Sequence, residues 1–455
     1  MSAAIIVLAA GQGKRMHSDL PKVLHPVAGK PMVEHVLDTA AEVSPSIPVV
    51  VYGHGGERLR EGLAHRSLTW AEQAEQLGTG HAVAQTLDSL PDHGLAMILY
   101  GDVPLLRSSS LASLLASAQD TGFAVLTVMM SDPSGYGRVV RDAAGNVARI
   151  VEHKDATAAE LALCEINTGI MAIDIERLKH WIPRLGNANA QGEYYLTDCV
   201  EMAVTEGVLV RGVVIADADE AMGVNNRRQL AEAERIYQRR RAGELMDAGV
   251  TLFDPSRIDI RGELVCGRDV TIDINVVFEG RVVLGNNVRI GANNVIANTQ
   301  VGDNVEILPN CVIESATIGP ASRIGPFSRV RPETHLGRET HIGNFVEIKK
   351  SDIGDGSKVN HLAYVGDAEI GRAVNVGAGT ITCNYDGAFK HKTIIEDDVF
   401  VGSDTQLVAP VRIGRGVTIG AGTTVTEDVE ADKLVISRVR QKTISGWQRP
   451  RKPKK

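Results

Sequence analysis

The sequence predicts a two-part chain: a Rossmann-like α/β domain on a mixed, mostly parallel sheet, then a parallel β-helix of hexapeptide repeats. Three observations carry this expectation. Short apolar runs alternate with helical patterns up to about residue 227. A charged, helix-spaced bridge follows over 228–248. From about residue 265, aliphatic residues recur mostly every six positions, with glycine often next to them. The domains are accordingly placed at 1–227 and 249–455, joined by a helical arm.

Taken in order, Ala3–Leu8, Ile47–Tyr52, Leu95–Tyr100 and Phe123–Met129 read as buried strands, because short continuous apolar runs suit a sheet covered on both faces. Pro31–Ala41 and Gly80–Leu90 read as the helices between them. Ligands of such sheets bind at the carboxyl ends of the strands. In the bridge, Leu230, Ala233, Tyr237 and Arg241 recur at helical spacing and Gly249 is placed as a C-cap.

The six-step ladder runs from Leu284, Ile290, Ile296 and Val301 to Ile370 and Val376, and resumes over Val401, Leu407, Ile413, Ile419 and Val425. Neither a helix nor a meander repeats this way. Each hexad makes one face of a triangular coil, the aliphatic side chain pointing inward and glycine easing the tight corner. Thr382-Cys383-Asn384-Tyr385-Asp386-Gly387 opens a loop that suspends the rhythm until about Phe400.

Composition narrows the function. Of 455 residues, 44% are hydrophobic and 23% charged, a globular balance, and the net charge of −8 argues against nucleic-acid binding. The five cysteines are scattered, which fits neither a disulfide framework nor a zinc site and points to a reducing compartment. The apolar start lacks a basic leader and runs into a glycine-rich turn, so it reads as a strand, not a signal peptide. No stretch is long enough for a membrane helix, and a cytoplasmic location is expected. The basic tail, Arg449–Lys455, reads as a solvated end or as an arm over an anionic ligand.

Chemistry enters with the turn Leu8-Ala9-Ala10-Gly11-Gln12-Gly13-Lys14-Arg15-Met16 and Pro21-Lys22. Gly11 and Gly13 let backbone N–H groups approach phosphate, while Arg15 and Lys22 supply charge. The spacing matches neither a Walker loop nor a dinucleotide fingerprint. With Gly29-Lys30-Pro31-Met32, Gln73 to Ala82, Tyr100 to Leu105, Gly135-Tyr136-Gly137-Arg138, Ile150-Val151-Glu152, Asn167-Thr168-Gly169 and Gly223 to Arg227, this run resembles the sugar-phosphate nucleotidyltransferases. Both halves in this order, from residue 3 to about 440, resemble the bacterial bifunctional N-acetylglucosamine-1-phosphate uridyltransferase and glucosamine-1-phosphate acetyltransferase family. Position 14 departs from that family, which commonly has Thr where this chain has Lys14.

The resemblance implies Mg²⁺ on Asp102 and Asn225, phosphates on Arg15 and Lys22, and uridine on Leu8, Ala9, Ala10, Gly11, Gln73, Gly78 and Thr79. Tyr100, Gly101, Gly137, Glu152 and Asn167 complete its sugar-nucleotide site. In the β-helix it implies His361 as general base, since the acceptor amine must lose a proton to attack a thioester. Arg331, Lys349, Tyr364 and Asn375 would hold glucosamine 1-phosphate; Asn384 and Tyr385 would shape this acceptor pocket and, with Ala378, Ser403, Ala421 and Arg438, line the acetyl-CoA groove. It further implies left-handed coils, a homotrimer and a place in peptidoglycan and lipopolysaccharide precursor synthesis, with UTP and acetyl-CoA as co-substrates. Direct transfer is expected in preference to a Cys383 acyl-enzyme. Two other readings compete: a β-helix that is a passive trimerisation scaffold, and a solenoid that binds a surface.

Overall fold

The computed structural model describes residues 3–11, 13–53 and 56–450. Met1 and Ser2 of the apolar start, Gln12 of the glycine-rich turn and Arg451–Lys455 of the basic tail lie outside the described residues. The chain divides into two compact units between Gln238 and Arg239. That division falls inside one long helix, Arg227–Asp247, which ends before Gly249 at a φ of 95°. Among the described residues no helix is long and apolar enough to cross a membrane.

The first unit is a nine-stranded sheet. Its strands are β1 (Ala4–Leu8), β2 (Val49–Tyr52), β3 (Thr69–Glu72), β4 (Leu95–Tyr100), β5 (Phe123–Met129), β6 (Arg138–Arg141), β7 (Val147–Val151), β8 (Glu165–Asp174) and β9 (Arg211–Ile215). The order is β9-β5-β8-β4-β1-β2-β3, with β6 on β8 and β7 on β6. Strands β4, β1, β2 and β3 are parallel, as is the β9–β5 pair. Strand β8 runs antiparallel between β4 and β5, and the β6–β7 hairpin is antiparallel too, so the sheet is more mixed than the sequence suggests. An apolar run reports burial on two faces but carries no sign of direction, which is why β8 was not foreseen.

Helices cover both faces. Helix α1 (Met32–Val43) buries Met32, Val33, Val36, Leu37 and Ala40, a helical stripe, and α3 (Ser108–Thr121) buries Leu111, Leu114, Leu115 and Ala118. The helix expected over 80–90 is a short α2 (Thr79–Ala84) followed by a 3₁₀ turn, Leu87–Ser89. Leu8, Tyr100 and Glu72 end their parallel strands side by side, the edge at which this topology gathers ligands.

The second unit is a solenoid of parallel strands, two or three residues long in most coils. Successive coils are in register at 17 or 18 residues, as Ile272 over Ile290, Ile290 over Ile307 and Ile324 over Ile342. One face forms an 11-stranded sheet; the other faces run together into a 17-stranded one. Every aliphatic of the six-step ladder is at most 4% exposed and belongs to one continuous core. Burial of this stripe, at about 25 cal/mol per Å² of apolar surface, is what stabilises the stack.

Two expectations need correction. The rhythm resumes earlier than Phe400, because Ile395 stacks under Ile370 and is buried; the excursion is Asn384–Lys392. Apart from Gly325, at a φ of 94°, the glycines after the ladder aliphatics do not serve as the left-handed corners, which fall to Asn275, Asn293, Asn310 and comparable residues. Their role is close approach between coils. A Cβ on Gly354 would stand 2.5 Å from the Gly371 backbone, and one on Gly319 would meet Gly337. Gly354→Ala, forcing adjacent coils apart, is expected to destabilise the β-helix by about 2 kcal/mol, read as a lowered midpoint in chemical denaturation.

Candidate active sites

In the first unit, the turn leaving β1 (Leu8, Ala9, Ala10, Gly11), Gln73 past β3, Gly78 and Thr79 at α2, and Tyr100 and Asp102 past β4 enclose a pocket of about 340 Å³ with Lys22. Lys22 rides on a 3₁₀ turn, Lys22–Leu24, anchored by the buried Val23 and Leu24. Its ammonium donates to Asp102 Oδ2 and, at 3.0 Å, to Asn225 Oδ1. Val224 N–H donates to the Asp102 carbonyl at 2.9 Å and Asn225 N–H to Gln229 Oε1 at 2.8 Å, so the 223–227 loop is tied to the end of β4.

Two hard oxygens, one charged and one neutral, therefore converge on a single cationic atom. That donor set suits a divalent ion such as Mg²⁺ that takes its remaining ligands from phosphate and water. No group of three His, Cys, Asp or Glu side chains able to hold a metal occurs among the described residues, so this pair needs substrate oxygens to complete a coordination shell.

The remaining residues lie around Tyr100. Burial, together with the Glu152 and Asp102 charges, pushes its phenol well above the ordinary value and keeps it neutral. Glu152, raised chiefly by burial, accepts a hydrogen bond from Thr197 Oγ1 at 3.3 Å. Gly137 lies against Glu152, and its carbonyl accepts from Asn167 N–H at 2.9 Å. Asn167 Oδ1 accepts from Gly169 N–H at 3.0 Å. Gly101 N–H donates to the Leu8 carbonyl at 3.0 Å, extending the β1–β4 pairing to the pocket floor. Gly137, Glu152 and Asn167 are thus grouped with one another, outside the pocket walls. Arg15 is not brought to the pocket: it is exposed on the turn Lys14–Met16.

In the second unit the solenoid stacks its candidates by register. At one corner Leu362 N–H donates to the Asn344 carbonyl, Gly379 N–H to His361, Asp404 N–H to Ala378 and Gly422 N–H to Ser403. This run places Asn344, His361, Ala378, Ser403 and Ala421 along one edge, with an Arg438 guanidinium nitrogen beside Gly420. His361 Nδ1 lies 2.8 Å from Asn344 Oδ1, an oxygen that can only accept. The proton therefore sits on Nδ1, and Nε2 carries the free lone pair.

At the next corner, Arg331 pairs with Glu347 at 2.8 Å and Lys349 is in register with Gly366. A Cβ on Gly366 would meet both Tyr364 Oη and Asn384 Nδ2, so these two polar atoms crowd one spot. Asn384 Nδ2 donates to Asp367 Oδ2. The loop that follows is braced by Asp386, whose carboxylate accepts from Phe389 N–H at 2.7 Å, Ala388 N–H at 2.8 Å and His391 Nε2, and is held far below the usual carboxylate range. Tyr385 Oη donates to the Gly387 carbonyl at 2.6 Å within it. Asn375 stands apart, on the 11-stranded face, whereas Lys349 and Tyr364 are on the other sheet.

Comparison with known proteins finds matches for both units. Residues 5–165 match the MobA-like NTP transferase domain, 260–342 the GMPPB C-terminal domain, and 392–427 the bacterial transferase hexapeptide (six repeats). The chain is 60% identical over 451 residues to the bifunctional protein GlmU of Dechloromonas aromatica, covering 99% of this chain and 100% of that one. It is equally similar, at 60% over 451 residues and 99% of each chain, to bifunctional protein GlmU of Cupriavidus pinatubonensis. The chain belongs to the bifunctional GlmU family. As a GlmU-family transferase it carries a nucleotidyltransferase domain and a hexapeptide acetyltransferase domain.

Sequence reading singled out none of three further residues that this GlmU-family chain sets beside the candidates. Gln76 lines the pocket of the first unit and donates to the Ala10 carbonyl. Lys390 sits beside Lys349, whose ammonium holds that of Lys390 below its ordinary value. Asn344 orients His361. Asn344 was findable, since it lies one 17-residue coil before the histidine; Lys390 was not, because the loop has no period.

Proposed function

We propose that the two sites divide the synthesis of UDP-N-acetylglucosamine, the β-helix acetylating glucosamine 1-phosphate and the α/β domain uridylylating the product. The observation that carries the first step is the His361–Asn344 pair, which leaves Nε2 as the base. Nε2 takes a proton from the sugar amine, the nitrogen attacks the acetyl-CoA carbonyl, and the C–S bond breaks to release CoA thiolate, which takes up a proton. Arg331 and Lys349 bind the sugar phosphate; Tyr364, Asn384 and Tyr385 shape the acceptor pocket; Ala378, Ser403, Ala421 and Arg438 follow the CoA along the corner. No step uses Cys383.

In the second step an oxygen of N-acetylglucosamine 1-phosphate attacks the α-phosphorus of UTP and pyrophosphate leaves. Mg²⁺ held by Asp102 and Asn225 would neutralise charge on the phosphate oxygens. Lys22 supplies fixed positive charge in the same place, Ala10, Gly11, Gln73, Gly78 and Thr79 seat the uridine, and Gly137, Glu152 and Asn167 receive the sugar.

The acetyl-transfer set is split between two sheets of the solenoid, His361 and Asn375 on one and Lys349 and Tyr364 on the other, so a second copy completes it in a homotrimer. The corner carrying His361 supports this. Where earlier coils place Asn in the left-handed region, later ones place Phe327, Phe345 and Leu362, exposed by 49%, 55% and 64%. The two phenyl rings stack at 5.3 Å. Apolar side chains held in a costly conformation, facing outward, suit burial against a neighbouring copy.

The test is to incubate the protein with glucosamine 1-phosphate, acetyl-CoA, UTP and Mg²⁺ and identify products by mass. UDP-N-acetylglucosamine, CoA and pyrophosphate are expected. A uridylylated product without acetylation would favour the scaffold reading of the β-helix.

A further inference from the structure

We infer that His81 locks the amide of Gln73 in one orientation and so selects the pyrimidine by the polarity of a single hydrogen bond. The inference rests on the proposal that Gln73 meets the nucleotide base.

Gln73 is only 4% exposed and lines the nucleotide pocket. Its Nε2 donates to the Gly78 carbonyl at 3.0 Å and lies 3.2 Å from His81 Nδ1. A backbone carbonyl can only accept, so the NH₂ end of the amide must face Gly78. The second Nε2 hydrogen then meets His81 Nδ1, which has to be the unprotonated ring nitrogen. The His81 proton is left on Nε2, 3.3 Å from Gln85 Nε2. Those two donors conflict; Gln85 Nε2 also donates to the His81 carbonyl at 3.0 Å, but Gln85 is exposed and can exchange that bond for water, whereas the buried Gln73 cannot. The buried amide therefore decides the histidine tautomer.

With both Nε2 hydrogens engaged, Gln73 Oε1 accepts no hydrogen bond among the described residues. It is the polar atom this side chain offers the pocket. A lone pair there matches uracil, whose N3 carries a hydrogen, and opposes cytosine, whose N3 carries a lone pair. Flipping the amide to suit cytosine would turn Oε1 against the Gly78 carbonyl and would require the His81 proton to move from Nε2 to Nδ1. A site that leaves a buried polar group unpaired rejects the wrong ligand far better than one that merely fits it loosely. His81 acts through Gln73 and is a positioning residue, half of a two-point lock.

The test is the ratio of kcat/KM for UTP to that for CTP, read as pyrophosphate release with N-acetylglucosamine 1-phosphate and Mg²⁺. His81→Leu removes the acceptor and is expected to lower the ratio about tenfold, the weight of one net hydrogen bond. His81→Asn, whose Oδ1 can stand where Nδ1 stands, is expected to keep the ratio within about twofold of wild type. A histidine that only packed would lower both nucleotides alike, and an unchanged ratio in His81→Leu would overturn the lock. Gln73→Ala separates the two claims. If it collapses the ratio while His81→Leu does not, the lock alone fails; if it too leaves the ratio intact, Gln73 does not meet the base.

Discussion

Asp102→Ala lowers uridylyl transfer by about three orders of magnitude and leaves acetyl transfer within about twofold of wild type. The first figure follows from the place of the carboxylate. Asp102 holds the Lys22 ammonium, and the two side chains are 17% and 11% exposed, so water compensates little for its loss. Alanine leaves Lys22 facing the neutral Asn225 oxygen alone and takes away the charged member of the proposed metal pair. Asp102→Asn keeps the shape and one oxygen and should fall between wild type and alanine. Pyrophosphate release measures one activity and CoA thiol release the other. Equal loss of both would mean that the sites are not separate.

The reciprocal result is expected for His361→Ala, a loss of acetyl transfer by about 10²–10⁴, the usual weight of a general base, with uridylyl transfer unaffected. Asn344→Ala keeps the imidazole but frees its ring, so about a tenfold loss of CoA release is expected. If His361→Ala leaves CoA release near the wild-type rate, another group takes the proton.

The β-helix was legible from sequence because each inward position returns on a fixed step. Leu284, Ile290 and Ile296 announce a coil without any tertiary information. The lining of the pocket in the α/β domain was legible for another reason: its walls are short segments that each end a strand, so Ala10-Gly11, Gln73 and Tyr100–Asp102 carry their own context. What escaped were pairings across the fold. Nothing local to Lys22 reveals that it bridges Asp102 and Asn225, and nothing in Gln73 alone reveals which end of its amide is held. The antiparallel β8 escaped because its apolar run, Ile170–Ile173, reads the same in either direction. The hexad glycines were misassigned to corners because period alone does not tell a bent backbone from a crowded one.

Between Val376 and Val401 a single coil takes 25 residues, yet the strands above and below keep their stacking. Each layer touches only its neighbours, so a corner can lengthen outward without disturbing the prism. New chemistry can therefore be grafted one loop at a time: Asn384, Tyr385 and Lys390 came with such a segment while the hydrophobic lattice stayed as it was. A solenoid of this kind separates the evolution of what it binds from the evolution of how it folds.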